Sequence, residues 1–123
     1  MTTESEFETF FHRFIETALW CSSDSNSDSD TSLQDQGYSI NDIDPCYLES
    51  LKTDCQLFFD ENYSKIQTNI SLAGHDFWLT SNRHGAGFWD GDWEEKIGKE
   101  LTEDSHKFSE HTFYVNEGVV YCD

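Results

Sequence analysis

Apolar residues recur at steps of three and four through residues 4–20: Phe7, Phe10, Phe11, Phe14, Ile15, Ala18 and Leu19. That period predicts an amphipathic helix with one core-facing stripe. Thr3 is the expected N-cap, and Glu4, Glu6 and Glu8 suit the positive end of the helix dipole. The period then vanishes. Residues 21–37 read CSSDSNSDSDTSLQDQG, and the pattern predicts a mobile acidic loop over residues 22–37 with Leu33 as its one anchor. A second helical period spans about 45–67 through Leu48, Leu51, Cys55, Phe58, Phe59 and Ile66. Asp44 is its expected N-cap and Pro45 its first helical residue. Glu49, Asp54, Asp60 and Glu61 fall largely off the apolar face, and Cys46 and Cys55 fall on opposite sides of the helix.

From Leu72 the pattern changes to LAGHDFWLTSNRHGAGFWDGDW. HDFWLT alternates as a strand, SNRHGAG reads as a connection and GFWD as a second short strand, which together predict a β-hairpin. Asp92 then caps a third helix over about Trp93–Phe108, with Trp93, Ile97, Leu101 and Phe108 on its apolar side. HTFYVNEGVVYCD predicts a closing hairpin that turns at Asn116-Glu117-Gly118. The resulting order is ααββαββ. It predicts one α+β domain over residues 1–123, a small antiparallel sheet of about four strands with about three helices on one face.

Composition adds the surface. The chain has 25 Asp and Glu against 7 Lys and Arg, for a formal net charge of −18. Nucleic-acid affinity comes from neutralising phosphates with basic side chains, so this surface repels DNA, RNA and anionic membranes and attracts basic proteins. Disorder is the other reading of such charge, but 10 Phe, 5 Tyr and 4 Trp supply a core. No stretch has the apolar length of a membrane span, and the acidic N-terminus does not resemble a secretory signal. Reduced cysteines in a cytoplasm are therefore expected for Cys21, Cys46, Cys55 and Cys122.

Two candidate chemistries stand against these features. Asp24, Asn26, Asp28, Asp30 and Asp35 fall at the ligand spacing of a calcium loop. Ser29 replaces its turn glycine and Asp35 its bidentate glutamate, which argues against calcium. The richer constellation is Gly74, His75, Asp76, Phe77, Trp78, Asn82, His84, Gly85, Gly87, Phe88, Trp89 and Asp90. His75 and His84, with Asp76 or Asp90, are the residue types of a metal site or an acid–base pair. Yet HExxH, nucleophile-elbow and phosphate-loop motifs are all missing, and no Ser or Cys sits beside an activating group. The sequence thus argues for no catalytic residues, no metal and no cofactor. The structural reading of this motif is an aromatic contribution to the core, with glycines that allow turns and close contacts.

The segment AGHDFWLTSNRHGAGFWDGDW resembles the signature of a widespread group of small acidic bacteriophage and prophage proteins, close to GHDFWLTRNGHGAGFWDR. The likeness covers Gly74 to Thr80, Asn82 and His84 to Asp90, and fails at Ser81, Arg83 and Gly91. ALWCSSD and GYSINDIDPCYLESLKTDCQLFFDEN follow the same group's order of segments. What the resemblance implies is phage origin and action in the cytoplasm of a bacterial host.

Charge and resemblance together predict an inhibitor of a host defence or repair protein. By DNA mimicry, in the manner of anti-restriction or anti-CRISPR proteins, it would fill a basic groove with carboxylates. The expected face is Asp24, Asp28, Asp30, Asp35, Asp42, Asp44, Glu49, Asp54, Asp60 and Glu61. These ten acids, against Lys52 alone, hold half of the net −18. Two rivals remain at this stage: a host-takeover protein that binds through the aromatic hairpin, and a metal-assisted enzyme at His75 and His84. The oligomeric state, monomer or dimer, is open.

Overall fold

The computed structural model describes residues 2–21, 33–82, 87–88, 93–108 and 113–122. Among these residues, four α-helices carry the architecture: α1 (Thr2–Cys21), α2 (Pro45–Ile66), α3 (Ile70–Ser81) and α4 (Glu95–Ser105). One hairpin follows, β1 (Phe113–Asn116) and β2 (Val119–Cys122), and it is the only sheet among the described residues.

The expected stripe of α1 is the stripe that packs: Phe7, Phe10, Phe11, Phe14, Ile15, Ala18 and Leu19 are all buried. The first two helices begin and end close to where the hydrophobic period placed them. Asp44 caps α2 by accepting from the Cys46 and Tyr47 amides, at 3.1 and 3.4 Å. Removing a carboxylate cap costs about 1 kcal/mol. Asp44→Ala should lower the urea midpoint accordingly, whereas Asp44→Asn should keep most of the stability. Leu33 is fully buried, and the Gln34 amide bonds back to the Leu19 carbonyl at 3.2 Å, so the end of the Ser/Asp segment is fastened to the end of α1. Cys55 is buried and Cys46 exposed, as two sides of one helix require. Burial, and secondarily Asp54, pushes the Cys55 thiol well above its usual pKa, which makes it a packing group rather than a nucleophile.

The α+β fold with about four strands is wrong in its centre. HDFWLT is not a strand; it belongs to α3, whose Asn69 cap accepts from the Leu72 amide at 3.3 Å. The error has a physical cause. Ala73, Gly74 and every residue from Asp76 to Ser81 are buried, so α3 shows neither a clean helical stripe nor a true alternation. Gly74 is mid-helix, where a Cβ would collide with the carbonyl oxygen of Phe10. The glycine lets α1 and α3 touch backbone to backbone. Of the expected second strand, only Gly87 and Phe88 are described, and Phe88 instead donates its amide to Thr80 Oγ1 at 3.1 Å. Trp89 and Asp90 lie outside the described residues.

An aromatic stack fills the space between the helices. Phe58 of α2 lies on Phe77 of α3 with ring centroids 4.1 Å apart and planes 15° apart. Phe10, Phe88 and Phe108 surround the Phe58 ring at 6.0, 5.8 and 6.2 Å. Asn62, which no apolar period would select, is also fully buried and donates to the Phe58 carbonyl at 3.1 Å.

The closing hairpin forms as expected. Glu117 and Gly118 both have positive φ, 51° and 81°, the signature of a tight turn that matches the strand twist. Phe113, Val115 and Val120 face inward. Ile43 pairs with Val120 as a parallel bridge, and the Asp44 amide donates to the Val120 carbonyl at 2.8 Å, which moors the hairpin to the start of α2.

Candidate functional site

Consecutive motif residues on α3 serve different neighbours. Gly74 meets α1. His75 Nδ1 lies 2.9 Å from Thr17 Oγ1, on α1. Asp76 is buried and accepts from the Trp93 indole N–H at 2.8 Å. Phe77 and Trp78 are buried, and Asn82 donates to the Trp78 carbonyl at 3.1 Å as the helix ends. The motif is thus a joint that locks α3 to α1 and to the segment before α4. His84, Gly85, Trp89 and Asp90 lie outside the described residues.

Of the site read from His75 and His84 with Asp76 or Asp90, only His75 and Asp76 are described, and these two bond to different elements, Thr17 of α1 and Trp93 before α4. Among the described residues, no group of three or more His, Cys, Asp or Glu converges as a metal site. The nearest thing to a nucleophile–base dyad is Thr17 with His75. Thr17 has a single hydroxyl hydrogen, and it is directed to the Arg13 carbonyl at 2.8 Å. Thr17 Oγ1 then accepts from His75 Nδ1–H, leaving the lone pair on Nε2. Burial, reinforced by the Arg13 cation, lowers the His75 pKa and so favours the neutral ring. A buried threonine that donates backwards to its own helix is positioned as a tether rather than as a nucleophile. Arg13, Glu16, Trp20 and Gln34 complete a polar cleft of about 320 Å³ around this pair.

The acidic residues divide by role. Asp42 and Asp44 are half-buried and used locally: Asp42 accepts from the Ser39 amide at 2.8 Å, and Asp44 caps α2. Asp35, Glu49, Asp60 and Glu61 are exposed, and Asp54 is half-buried. Asp24, Asp28 and Asp30 lie outside the described residues. At about 100° per residue, Glu49 and Asp60 share one line along α2, and Asp54 and Glu61 share another, roughly 120° away. With about 1.5 Å rise per residue, the pairs are spaced roughly 16 and 10 Å along the axis. Between them lie Thr53, Ser64 and Leu57, the last 52% exposed. Lys65 follows Glu61 by one turn on the same side of α2 and lies 3.6 Å from Glu100, and Lys107 lies 3.0 Å from Asp104.

Aromatic exposure is not where the sequence placed it. Phe77, Trp78 and Phe88 are core, and no aromatic hairpin is presented by the described part of the motif. Among the described residues, the exposed rings are Trp20 on α1, Tyr47 at the start of α2 and Tyr114 on β1. Strand alternation does carry a signal for Tyr114 and Tyr121, since they alternate with the inward Phe113, Val115 and Val120. Tyr47 joins them only through the pairing of Ile43 with Val120, which no local pattern reveals.

Compared with protein-family models, curated proteins and solved structures, the chain matches none of them. Among the described residues, no helix is long and apolar enough to cross a membrane. Among the described residues the chain is mostly helical and closed by one hairpin, and ten of its 25 Asp and Glu fall within residues 24–61.

Proposed function

We propose that this protein binds and inhibits a host protein that handles nucleic acid, with carboxylates taking the place of phosphates in a basic groove. The two lines of carboxylates on the outer side of α2 carry this reading, because two parallel rows of negative charge are what a groove built for a duplex receives. The net charge of −18 supports it through fast, salt-sensitive association with a basic partner. The motif resemblance supports it by suggesting phage origin and action in the host bacterial cytoplasm.

The test is capture from bacterial lysate with the full chain as bait. Nucleic-acid-binding proteins should be recovered, and both high salt and added duplex DNA should displace them. Replacing Glu49, Asp60 and Glu61 together by Gln, Asn and Gln should weaken capture about tenfold, at several tenths of a kcal/mol for each exposed charge. Capture indifferent to salt, to DNA and to these substitutions would sink the proposal.

A further inference from the structure

We infer that Tyr47, Tyr114 and Tyr121 form an aromatic anchor for arginine side chains of a protein partner. The inference rests on the reading above that the partner is basic, and it adds which cation the surface selects. Tyr114 and Tyr121 sit directly opposite each other across the hairpin, with centroids 5.6 Å apart and planes 23° apart. Tyr47 meets Tyr121 edge to face, 5.9 Å away at 90°. The three rings come from α2, β1 and β2 and make one continuous aromatic corner. Tyr47 and Tyr114 keep 37% and 38% of their surface in solvent. The opposite face of the same hairpin holds Phe113, Val115 and Val120 in the core, so these tyrosines are not needed to fill it.

Charge identifies the occupant. Asp44 accepts from the Tyr47 amide, and its own N–H holds Val120, the neighbour of Tyr121, so a carboxylate is held at the backbone from which the corner is built. Asp42 lies on the other side of Ile43, the residue paired with Val120. Ring faces next to carboxylates attract cations. Guanidinium is planar and weakly hydrated, so it stacks on tyrosine while bonding to carboxylate; the compact, strongly hydrated ammonium of lysine does so less well. A nucleobase would bring phosphates into a field of −18, and a second copy would bring another −18.

The experiment measures binding of labelled oligoarginine and oligolysine peptides of equal length to the full chain by fluorescence anisotropy at physiological salt. Oligoarginine should bind about fivefold tighter than oligolysine. Tyr114→Leu and Tyr121→Leu should each reduce that preference and leave oligolysine binding unchanged, and Tyr114→Phe should retain it. Neutralising Glu49, Asp60 and Glu61 should weaken both peptides alike. Equal binding of the two peptides, or a preference that survives both leucine variants, overturns the tyrosine anchor and leaves the acidic-surface reading standing. Failure of both peptides to bind overturns the basic-partner reading and the anchor with it. A change in sedimentation on Tyr114→Leu would assign the corner to self-association and overturn the inference as well.

Discussion

Phe58→Ala should unfold this protein at a temperature roughly 10–20 °C below the parent, at a cost of about 3–5 kcal/mol. Phe58 is fully buried, stacks on Phe77 at 4.1 Å, and has Phe10, Phe88 and Phe108 around it. Truncation removes the transfer energy of one ring and leaves a cavity bordered by other rings. Those rings come from α1, α3 and the segments flanking α4, so no single helix can move in to fill it. Aromatic pairs add about 0.5–1.5 kcal/mol each beyond burial, and several are lost together. A domain is typically stable by only about 5–15 kcal/mol, so the loss is a large fraction of the whole. Thermal unfolding followed by circular dichroism measures it. A loss under about 1 kcal/mol would show that the stack is not the centre of the fold. Phe58→Leu, which keeps most of the volume, should cost markedly less.

The second large effect has a sign that decides between two accounts. Within a helix, Gly→Ala ordinarily stabilises by about 1 kcal/mol. Gly74 lies inside α3, so propensity alone predicts a gain for Gly74→Ala. The added methyl would instead overlap the Phe10 carbonyl oxygen, with the Arg13 Cβ at 3.2 Å behind it. A carbonyl fixed in the middle of α1 cannot rotate aside as a long side chain would. The helices must separate, which loosens Phe10 and Phe14 against Phe77, rings now 5.8 and 5.5 Å apart. The net effect should be a loss of about 2 kcal/mol or more, read as a lower urea midpoint. A midpoint that rises would mean that α1 and α3 do not cross at this glycine.

The second of these effects falls where the sequence was hardest to read. Helices α1 and α2 were legible because each has one wet side, and the contrast between Phe10 and Glu8, or Phe58 and Asp60, writes the period into the residues. The closing hairpin was legible from Val115, Val120 and the Glu117-Gly118 turn. Helix α3 was not, because buried Asp76, Thr80 and Ser81 supply polar letters inside a helix that meets protein on most sides. Alternation in HDFWLT is an accident of that inventory. The same limit applies to the surface. The positions of Glu49, Asp54, Asp60 and Glu61 on α2 follow from helix geometry alone. The tyrosine corner needs Ile43 and Val120 to meet, and their pairing is a fact of tertiary structure.

That meeting also bears on the order in which the chain becomes itself. The Asp44 amide stands at the threshold of α2, and its acceptor is Val120, far along the chain. Closing so long a loop is entropically unfavourable until other contacts have shortened it. During synthesis, the aromatic helices can gather while the last strand is still unmade. The tyrosine corner exists only once residues far apart in the chain have met, so a partner that gripped it would recognise the folded chain and not its separate segments.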